Sequence, residues 1–297
     1  MTGIQTKLIM ASICGEANSG KSSIVNLLCG RRISIVSSKP QASRFNVRGI
    51  ANYNKTQIVF IDTPGVFKPK VGGVIERQIA RNAWDGIRSG EKIILVVDPR
   101  KKFQDGFKYI LHEIERTEQP AILLINKMDM LTKEQMDEFE EGLGENAKLF
   151  EKIFRVSAKL NVGFVPVIEH LQETATISPW LYNEGEFTDQ TDEQILAEIT
   201  REVIFKNLEQ EIPYNTVVRT EQIKETEDII EVLQTIIVER DGQKKIIIGA
   251  KGTMLLILLR QSSLEMQKVL GGIGNKKPKR VKVTLFVKVS QIKEGML

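Results

Sequence analysis

The sequence is poor in cysteine, in aromatic residues and in long apolar runs, and these shortages exclude several classes of protein. Two cysteines, Cys14 and Cys29, are too few to frame a fold with disulfides, and they suit a reduced, cytosolic setting. The longest apolar run, Met254 to Leu259, has six residues, whereas a membrane-spanning helix needs roughly 20. No signal-peptide pattern opens the chain, because a glycine-rich motif already begins at Gly15. With 41% hydrophobic, 27% charged and 6% aromatic residues, we expect an ordinary folded protein rather than a disordered chain or collagen.

Positive charge is concentrated at one end of the chain. The formal net charge is only +4, from 42 Lys and Arg against 38 Asp and Glu. From Asp241 to Leu297, however, there are 12 basic and 3 acidic residues, so the first 240 residues are net acidic. Like charges gathered in one region repel each other unless a polyanion neutralises them. A nucleic acid or an anionic membrane is therefore the expected partner, and a merely solvated basic face is the alternative.

The first 170 residues alternate strand-like and helix-like segments, which predicts an α/β fold. Short Ile- and Val-rich runs with almost no polar interruption are typical of strands covered on both faces. Val47–Asn52 precedes one of them across a tight turn and is predicted to be an antiparallel edge strand. The predicted fold is a P-loop, doubly wound, mostly parallel sheet flanked by helices. The other strands are 7–14, 57–62, 92–98, 121–126 and 153–157, and the helices are 22–29, 73–89, 107–117 and 133–143.

Composition changes after about Leu171, which predicts a second domain. Residues 173–200 hold seven acidic residues and no Lys or Arg. We therefore divide the chain into a first domain at 1–172, an acidic linker at 173–190 and a second domain at 191–297. In the second domain a capping box at Thr191 and Gln194 starts a helix. Strand-like runs follow at 214–219, 229–238 and 281–289, with an apolar helix from about 253, so this domain is a smaller α+β fold. Periodicity leaves 244–248 open between a strand and a short helix.

The segment Gly15-Glu16-Ala17-Asn18-Ser19-Gly20-Lys21-Ser22 fits the phosphate-loop pattern G-x-x-x-x-G-K-[S/T]. Its glycines let backbone N–H groups curl around phosphate oxygens at the positive end of a helix. Lys21 would reach the β- and γ-phosphates, and the Ser22 hydroxyl would bind Mg²⁺. A strand precedes the motif and a helix follows it, as phosphate binding requires. The predicted contacts with nucleotide are Gly15, Asn18, Ser19, Gly20, Lys21, Ser22 and Ser23.

Three later motifs predict that the nucleotide is GTP. Asp62-Thr63-Pro64-Gly65 ends a strand, where the carboxylate can hold Mg²⁺ and the glycine N–H can sense the γ-phosphate. Asn126-Lys127-Met128-Asp129 ends another strand, and its last carboxylate can accept both hydrogen bonds from the N1 and N2 edge of guanine. Ser157-Ala158-Lys159 follows a third strand and offers N–H groups to guanine O6. These motifs meet at the carboxyl ends of the strands, where doubly wound sheets bind ligands.

Taken together, these motifs resemble those of translation-factor-type GTPases. With Lys39-Pro40-Gln41-Ala42-Ser43-Arg44 and Ile247-Ile248-Gly249-Ala250-Lys251-Gly252 added, the sequence closely resembles the bacterial Era GTPases over nearly its whole length. The resemblance implies a GTPase domain followed by a type II KH RNA-binding domain in a monomeric protein. It also implies binding near the 3′ end of 16S ribosomal RNA during maturation of the 30S subunit. Cytoplasmic location with peripheral association at the inner membrane is a further expectation.

The resemblance also implies roles in hydrolysis. Lys21, Ser43, Asp62 and Gly65 are the expected catalytic residues, and Ser22, Ser43 and Asp62 the expected Mg²⁺ ligands. Family members usually carry Thr at position 43, and Ser keeps the hydroxyl that binds the ion. Asn18 matches a family residue linked to K⁺ stimulation. A hydrophobic residue, Val66, stands where Ras-like proteins place a water-orienting Gln, so intrinsic hydrolysis is expected to be slow.

On the RNA side, Gly249–Gly252 matches the G-x-x-G loop of KH domains, and cations surround it. Glycines there let a nucleotide backbone approach the main chain. Without the upstream domain, a simple helix break would explain this motif equally well. Leu256 stands where the family often has Lys, and the Trp-containing tail of the family is absent, so binding is expected to depend more on the second basic cluster. The predicted RNA contacts are Lys244, Lys245, Gly249, Ala250, Lys251, Gly252, Lys276, Lys277, Lys279 and Arg280.

Three functions remain open from the sequence. The first is a GTP-driven switch that binds and releases ribosomal RNA. The second is an RNA-binding assembly chaperone in which GTP is a structural ligand. The third is a membrane-surface GTPase whose basic end meets anionic lipid; it ranks last because no basic amphipathic helix is evident.

Overall fold

The structure is a computed structural model that describes residues 5–36, 39, 43–66, 74–101, 103, 105–270 and 279–292, with 74–77 described by backbone alone. The chain forms two compact units. The first contains Met1–Ser34 and Ser43–Asp189, and the second contains Ile35–Ala42 and Gln190–Leu297. The second unit includes the chain from Gln190 onwards, within one residue of the predicted start at 191, whereas residues 173–189 group with the first unit.

The first unit is built around one seven-stranded sheet in the order β2-β3-β1-β4-β5-β6, with β7 paired to β1. Strands β2 and β7 are antiparallel to their neighbours, and all other pairings are parallel. The predicted fold class is therefore confirmed, including the antiparallel edge strand. In chain order the elements are β1 (Lys7–Cys14), α1 (Lys21–Leu28), β2 (Val47–Tyr53), β3 (Thr56–Asp62), α2 (Val74–Arg88), β4 (Lys92–Val97), α3 (Asp105–Thr117), β5 (Ala121–Ile125), α4 (Lys133–Gly142), β6 (Lys152–Arg155), α5 (Val165–Thr174) and β7 (Thr176–Ile177).

The apolar strands of this sheet are buried on both faces, and successive residues serve opposite faces. On β4, Ile94 and Val96 join the core beneath α1 and α5, whereas Ile93 and Leu95 join the core beneath α2, α3 and α4. Because strand side chains alternate with a period of two, both faces can be covered only if the strand is apolar throughout. This packing fixes the sheet between two helical layers and holds the loops at its carboxyl edge.

The segment predicted to be an acidic linker packs on this sheet. Strand β7 pairs with the beginning of β1, and the fully buried Gln57 of β3 anchors the chain that follows. The Gln57 Oε1 atom accepts hydrogen bonds from the N–H groups of Leu181 and Tyr182, both at 2.9 Å. Helix α5, which the sequence analysis did not predict, has a detectable signal in Pro166 at its first turn and in the buried spacing of Val167 and Leu171. Composition identified the acidity of this segment and missed its long-range partners.

The second unit is a three-stranded sheet covered by three helices. Its elements are α6 (Asp192–Asn207), β8 (Val217–Glu225), β9 (Ile229–Val238), α7 (Asp241–Ile248), α8 (Thr253–Leu270) and β10 (Arg280–Val289). The strand order is β10-β9-β8, with β10 parallel and β8 antiparallel to β9. This α-β-β-α-α-β order is the expected small α+β domain. Residues 244–248, left open above, are helical.

Local sequence signals place most boundaries in the second unit. The predicted capping box is present, since the Thr191 hydroxyl accepts from the Gln194 N–H and the Gln194 side chain accepts from the Thr191 N–H. Strand β8 runs from Val217 to Glu225, so it begins and ends later in the chain than the predicted 214–219. Its second half is a polar, exposed edge with a register shift at Thr220 to Gln222, which an apolar pattern does not reveal. Residues 271–278, which include Lys276 and Lys277, lie outside the described residues.

Candidate nucleotide and RNA sites

The nucleotide motifs come together at one edge of the first sheet. The phosphate loop follows β1, Asp62 ends β3, Asn126 follows β5 and Ser157 follows β6. These strands are parallel, so their carboxyl ends lie at the same edge of the sheet. The order of the strands sets the order of the site, with Asp62 on one side of the phosphate loop and the Asn126 and Ser157 loops on the other.

The phosphate loop approaches the Asn126 loop so closely that Gly20 has no room for a side chain. Gly20 has φ +105, and a Cβ atom built there would lie 2.2 Å from Asn126 Nδ2. Helix α1 begins directly afterwards at Lys21, with Ser22 and Ser23 in its first turn. Asn18 is exposed and left-handed, with φ 64. The free N–H groups at the start of α1 are therefore held beside the loop, in the arrangement that binds phosphate.

The carbonyl groups of the phosphate loop are held by donors from its own lysine and from the Asn126 loop. Lys21 Nζ donates to Gly15 O at 3.1 Å and to Glu16 O at 2.9 Å. Asn126 Nδ2 donates to Ser19 O at 2.8 Å, and Lys127 Nζ donates to Asn18 O at 2.7 Å. Burial lowers the pKa of Lys21, although the nearby Asp62 carboxyl opposes that effect. An anionic ligand beside this lysine would compensate its desolvation.

The three predicted Mg²⁺ ligands converge, and their chemistry fits that ion. Ser22 Oγ lies 3.5 Å from Ser43 Oγ. Burial raises the pKa of Asp62, while a hydrogen bond from Ser22 and the charge of Lys21 oppose the rise. Among the described residues Asp62 Oδ1 has no hydrogen-bond partner although it is buried. Two hydroxyls and an unpartnered carboxylate oxygen are hard donors of the kind that Mg²⁺ prefers.

Gly65 lies beside the phosphate loop, and Val66 is buried. A Cβ atom at Gly65 would lie 3.1 Å from the Cα and N atoms of Ala17. Val66 is 3% exposed, and its N–H donates to Gly15 O at 3.0 Å. Since this side chain is apolar and turned into the core, it cannot orient a water molecule for attack. Its placement agrees with the expected slow hydrolysis.

The guanine-recognition residues form one hydrogen-bonded group. Ser157 Oγ donates to Asp129 Oδ1 at 2.6 Å, and this bond, with a contribution from the charge of Lys159, lowers the pKa of Asp129. Asn126 Oδ1 accepts from the Ala158 N–H at 3.1 Å. Asp129 therefore stays ionised at neutral pH with its carboxylate held in place. An ionised carboxylate accepts two hydrogen bonds, which matches guanine and does not match adenine.

A further group of charged residues at this edge was missed by the sequence analysis. Asp98, whose side chain is 2% exposed, pairs with Arg100 at 2.7 Å and with Lys127 at 2.8 Å. Burial alone would raise the pKa of Asp98, but the hydrogen bonds from Arg100 and Lys127 hold it below its usual range. Lys101 Nζ donates to Ala17 O at 2.6 Å. The available signal was the position of Asp98, which follows β4 as closely as Asn126 follows β5.

In the second unit the G-x-x-G loop joins α7 to α8. Gly249 has φ +73, and a Cβ atom there would lie 2.8 Å from Met254 Cβ, so this position requires glycine. Lys245 and Lys251 are exposed beside the loop, and Lys244 is half-buried. Ile246 and Leu256 are 51% and 54% exposed on the helices that flank the loop. The loop therefore combines an accessible backbone, cations and an apolar surface.

The second predicted cluster of RNA contacts is described only in part. Lys276 and Lys277 lie outside the described residues. Lys279 Nζ donates to Glu225 Oε1 at 2.6 Å and to Thr226 O at 2.7 Å, so its charge is already neutralised. Arg280 is exposed at the start of β10. Of the two described members, Arg280 is therefore the better placed to meet phosphate.

The described part of the chain contains no group of three or more His, Cys, Asp or Glu side chains that could hold a metal ion. No single helix within the described ranges is long and apolar enough to span a membrane. Helix α7 and the helical segment 250–270 have the length and composition of a span only when taken together, and they are bent by 41°.

Known proteins match this chain in both units. A family model described as 50S ribosome-binding GTPase matches residues 10–127, and a KH domain model matches residues 211–294. GTPase Era of Ehrlichia ruminantium (strain Gardel) is 33% identical over 100% of this chain and 97% of its own length. GTPase Era of Rhizobium meliloti is 35% identical over 97% of this chain and 89% of its own.

Solved structures show the same two-domain architecture. Era in complex with MgGDPNP and nucleotides 1506–1542 of 16S ribosomal RNA matches with TM-score 0.88 and 26% identity, covering 96% of this chain and 94% of that one. A variant of Aquifex aeolicus Era bound to GDP·AlF4⁻ matches with TM-score 0.86 and 26% identity, covering 96% and 95%.

Proposed function

Because the chain belongs to the Era family of GTPases, we propose that it is a slow GTP-hydrolysing switch that binds 16S ribosomal RNA near its 3′ end and acts in assembly of the 30S subunit. The observation that carries this proposal is the pairing of a complete guanine-nucleotide site in one unit with a G-x-x-G helix pair in the other. A solved relative holds a GTP analogue and a 3′-terminal RNA segment together, which supports the same combination here.

In the nucleotide unit, this chain's residues bind and orient GTP. Lys21 and the start of α1 hold the phosphates, while Asp129, positioned by Ser157, reads the guanine edge. Ser22, Ser43 and Asp62 would hold Mg²⁺, which supplies charge neutralisation between the β- and γ-phosphates when bound. The buried Val66 leaves the attacking water without a side chain to orient it at that position, so turnover is slow.

We also propose that K⁺ stimulates hydrolysis through Asn18. This side chain projects from an exposed, left-handed position of the phosphate loop, next to the carbonyl that Lys127 holds. The rate of GTP hydrolysis in KCl would exceed the rate in NaCl at equal ionic strength, and Asn18→Ala would remove the difference. Equal rates in the two salts for the unaltered protein would exclude a role for K⁺.

In the RNA unit, the backbone at Gly249–Gly252 would meet the sugar-phosphate chain, with Lys245 and Lys251 as phosphate contacts. The exposed Ile246 and Leu256 offer apolar surface to unstacked bases. Leu256 replaces a cation with an apolar group, so binding here would depend less on salt than a fully basic groove would.

The decisive experiment measures affinity for an RNA of nucleotides 1506–1542 with a GTP analogue, with GDP and without nucleotide, each at two salt concentrations. Tighter binding with the analogue than with GDP supports the switch and gives its coupling free energy. Lys251→Ala should reduce the dependence of log Kd on log salt concentration by about 0.7 to 0.9, the contribution of one phosphate contact. Lys133→Ala, an exposed lysine of α4 in the other unit, is the matched control.

Two outcomes would contradict the proposed switch. Equal RNA affinity in all three nucleotide states would contradict the switch and favour the assembly chaperone. Absence of RNA binding would contradict both, and the basic end would then be tested on vesicles of anionic lipid for the peripheral membrane association expected from the sequence.

A further inference from the structure

The phosphate loop has five successive carbonyl groups, and each accepts a hydrogen bond from a side chain. Lys21 serves Gly15 and Glu16, Lys127 serves Asn18, and Asn126 serves Ser19. The carbonyl in the middle belongs to Ala17, and its donor is Lys101 Nζ at 2.6 Å. Lys101 lies outside all of the nucleotide motifs, yet it completes the set of donors around the loop.

The backbone that carries Lys101 is itself fixed. Pro99–Lys101 forms a single helical turn after β4, in which the Lys101 N–H donates to Asp98 O at 3.0 Å. The Asp98 carboxylate is buried and holds Arg100 on one side and Lys127 on the other. Arg100 therefore turns towards the guanine loop, while Lys101 turns towards the phosphate loop.

The residue that Lys101 holds is the one against which Gly65 packs. A Cβ atom at Gly65 would lie 3.1 Å from Ala17 Cα, so the two backbones are in contact. Gly65 is the residue expected to sense the γ-phosphate. Displacement of Ala17 would therefore change the wall beside that phosphate more than the wall beside the α- and β-phosphates.

The positive charge of Lys101, like its hydrogen bond to Ala17, favours GTP over GDP. Lys21 Nζ donates to Gly15 O and Glu16 O, and Lys101 Nζ donates to the next carbonyl, that of Ala17, so both ammonium groups lie on the same short segment of the loop. Two ammonium groups thus repel each other across the phosphate loop. A triphosphate, which carries more negative charge than a diphosphate, would relieve more of that repulsion.

We propose that Lys101 is a positioning residue for GTP hydrolysis, which holds Ala17 against Gly65 by its hydrogen bond and adds positive charge next to the phosphate loop. Lys101 favours the triphosphate over the diphosphate. Because the same charge and loop position also act on the transition state, Lys101 raises kcat/KM for GTP without touching the guanine base. It acts through the backbone of the loop, and its effect is separate from that of Lys21.

The test compares Lys101→Met, Lys101→Gln and Lys101→Arg with Lys108→Met, an exposed lysine of α3 as matched control. Lys101→Met should lower kcat/KM for GTP roughly tenfold, the effect of losing one charge-assisted hydrogen bond. It should weaken binding of a GTP analogue several times more than binding of GDP. Lys101→Arg, which keeps charge and donor, should restore most of the activity, and Lys101→Gln, which keeps only a donor, should restore less.

The ratio of GTP-analogue affinity to GDP affinity separates this role from a merely structural one, because general damage to the loop weakens both ligands alike. Equal weakening of the two, or no change in either, would overturn the proposal. Thermal unfolding of the nucleotide-free variants, followed by tryptophan fluorescence, identifies any variant that fails to fold.

Discussion

Asn126→Ala would remove the side chain that joins the phosphate loop to the guanine loop. Asn126 is 2% exposed, its Nδ2 atom donates to Ser19 O at 2.8 Å, and its Oδ1 atom accepts from the Ala158 N–H at 3.1 Å. Alanine can make neither bond. The substitution therefore separates two loops that the native side chain holds at a fixed distance.

The expected loss of stability follows from the polar groups that lose their hydrogen-bond partner. Ser19 is 1% exposed, so water has little access to its freed carbonyl, whereas Ala158 is half-buried and its freed N–H is partly accessible to water. A buried polar group without a partner costs about 1–3 kcal/mol. With one such buried group, the Ser19 carbonyl, the free energy of unfolding of the first unit should fall by about 1–3 kcal/mol. GDP binding must then restore the separation of the two loops, so we expect affinity for GDP to fall about tenfold, which corresponds to about 1.4 kcal/mol of binding free energy.

The chain offers a convenient probe for this measurement. Its two tryptophans, Trp84 and Trp180, both belong to the first unit. Tryptophan fluorescence during urea unfolding therefore reports on that unit within the intact protein, and calorimetric titration gives the GDP affinity. Asn146→Ala is the control, since this exposed asparagine donates only a local hydrogen bond, to Leu143 O at 3.1 Å.

Two results would refute the reasoning. A loss of less than about 1 kcal/mol would mean that the freed groups find other partners. A loss of stability with unchanged GDP affinity would mean that the two loops do not depend on this side chain for their separation.

Two further predictions concern the RNA loop and the pH dependence of stability. Gly249→Ala forces a side chain into a left-handed position 2.8 Å from Met254 Cβ, so it should lower RNA affinity roughly tenfold while GDP affinity stays unchanged. Gly242→Ala is the control, because there is open space around Gly242. Equal RNA affinity of the two variants would contradict the role of the loop. Burial and the charge of Lys92 lower the pKa of His170 from 6.5, despite its hydrogen bond to Glu151. The unfolded chain then binds the proton more tightly, so stability of the first unit falls as the pH drops below about 6.5. His170→Gln should reduce this dependence of stability on pH. His112→Gln, a control at an exposed histidine, should leave it unchanged. The same dependence in both variants would assign the effect to other groups.

Much of the fold and the nucleotide site was predictable because the responsible signals are local. Unbroken apolar runs such as 93–97 identify strands covered on both faces, and the capping box at Thr191 marks a helix start within four residues. The nucleotide motifs follow strands of a parallel sheet, so their convergence at one edge follows from the topology alone. Each inference uses residues that are neighbours in sequence or a rule that holds for every parallel sheet.

The RNA-binding site was less predictable from the sequence, because its structure depends less on local signals. A G-x-x-G segment and its lysines can be read locally, but periodicity over 244–248 fits a strand and a helix equally well. The Gln243 side chain settles the matter by accepting hydrogen bonds from the N–H groups of Glu239 and Arg240, which begins α7. Lys279, a predicted phosphate contact, also donates to Glu225, a partner distant in sequence that no local pattern indicated.

By itself, then, the sequence determined the fold class, the guanine-nucleotide chemistry and the family, because these depend on residue types at short spacings. Only the tertiary structure decided that residues 173–189 pack on the buried Gln57, and that Asp98 pairs with Lys127. It alone brought Lys101 to Ala17. These contacts join residues that lie far apart in the chain or in neighbouring loops, and their partners are chosen by the packing of the whole sheet, which no local pattern encodes.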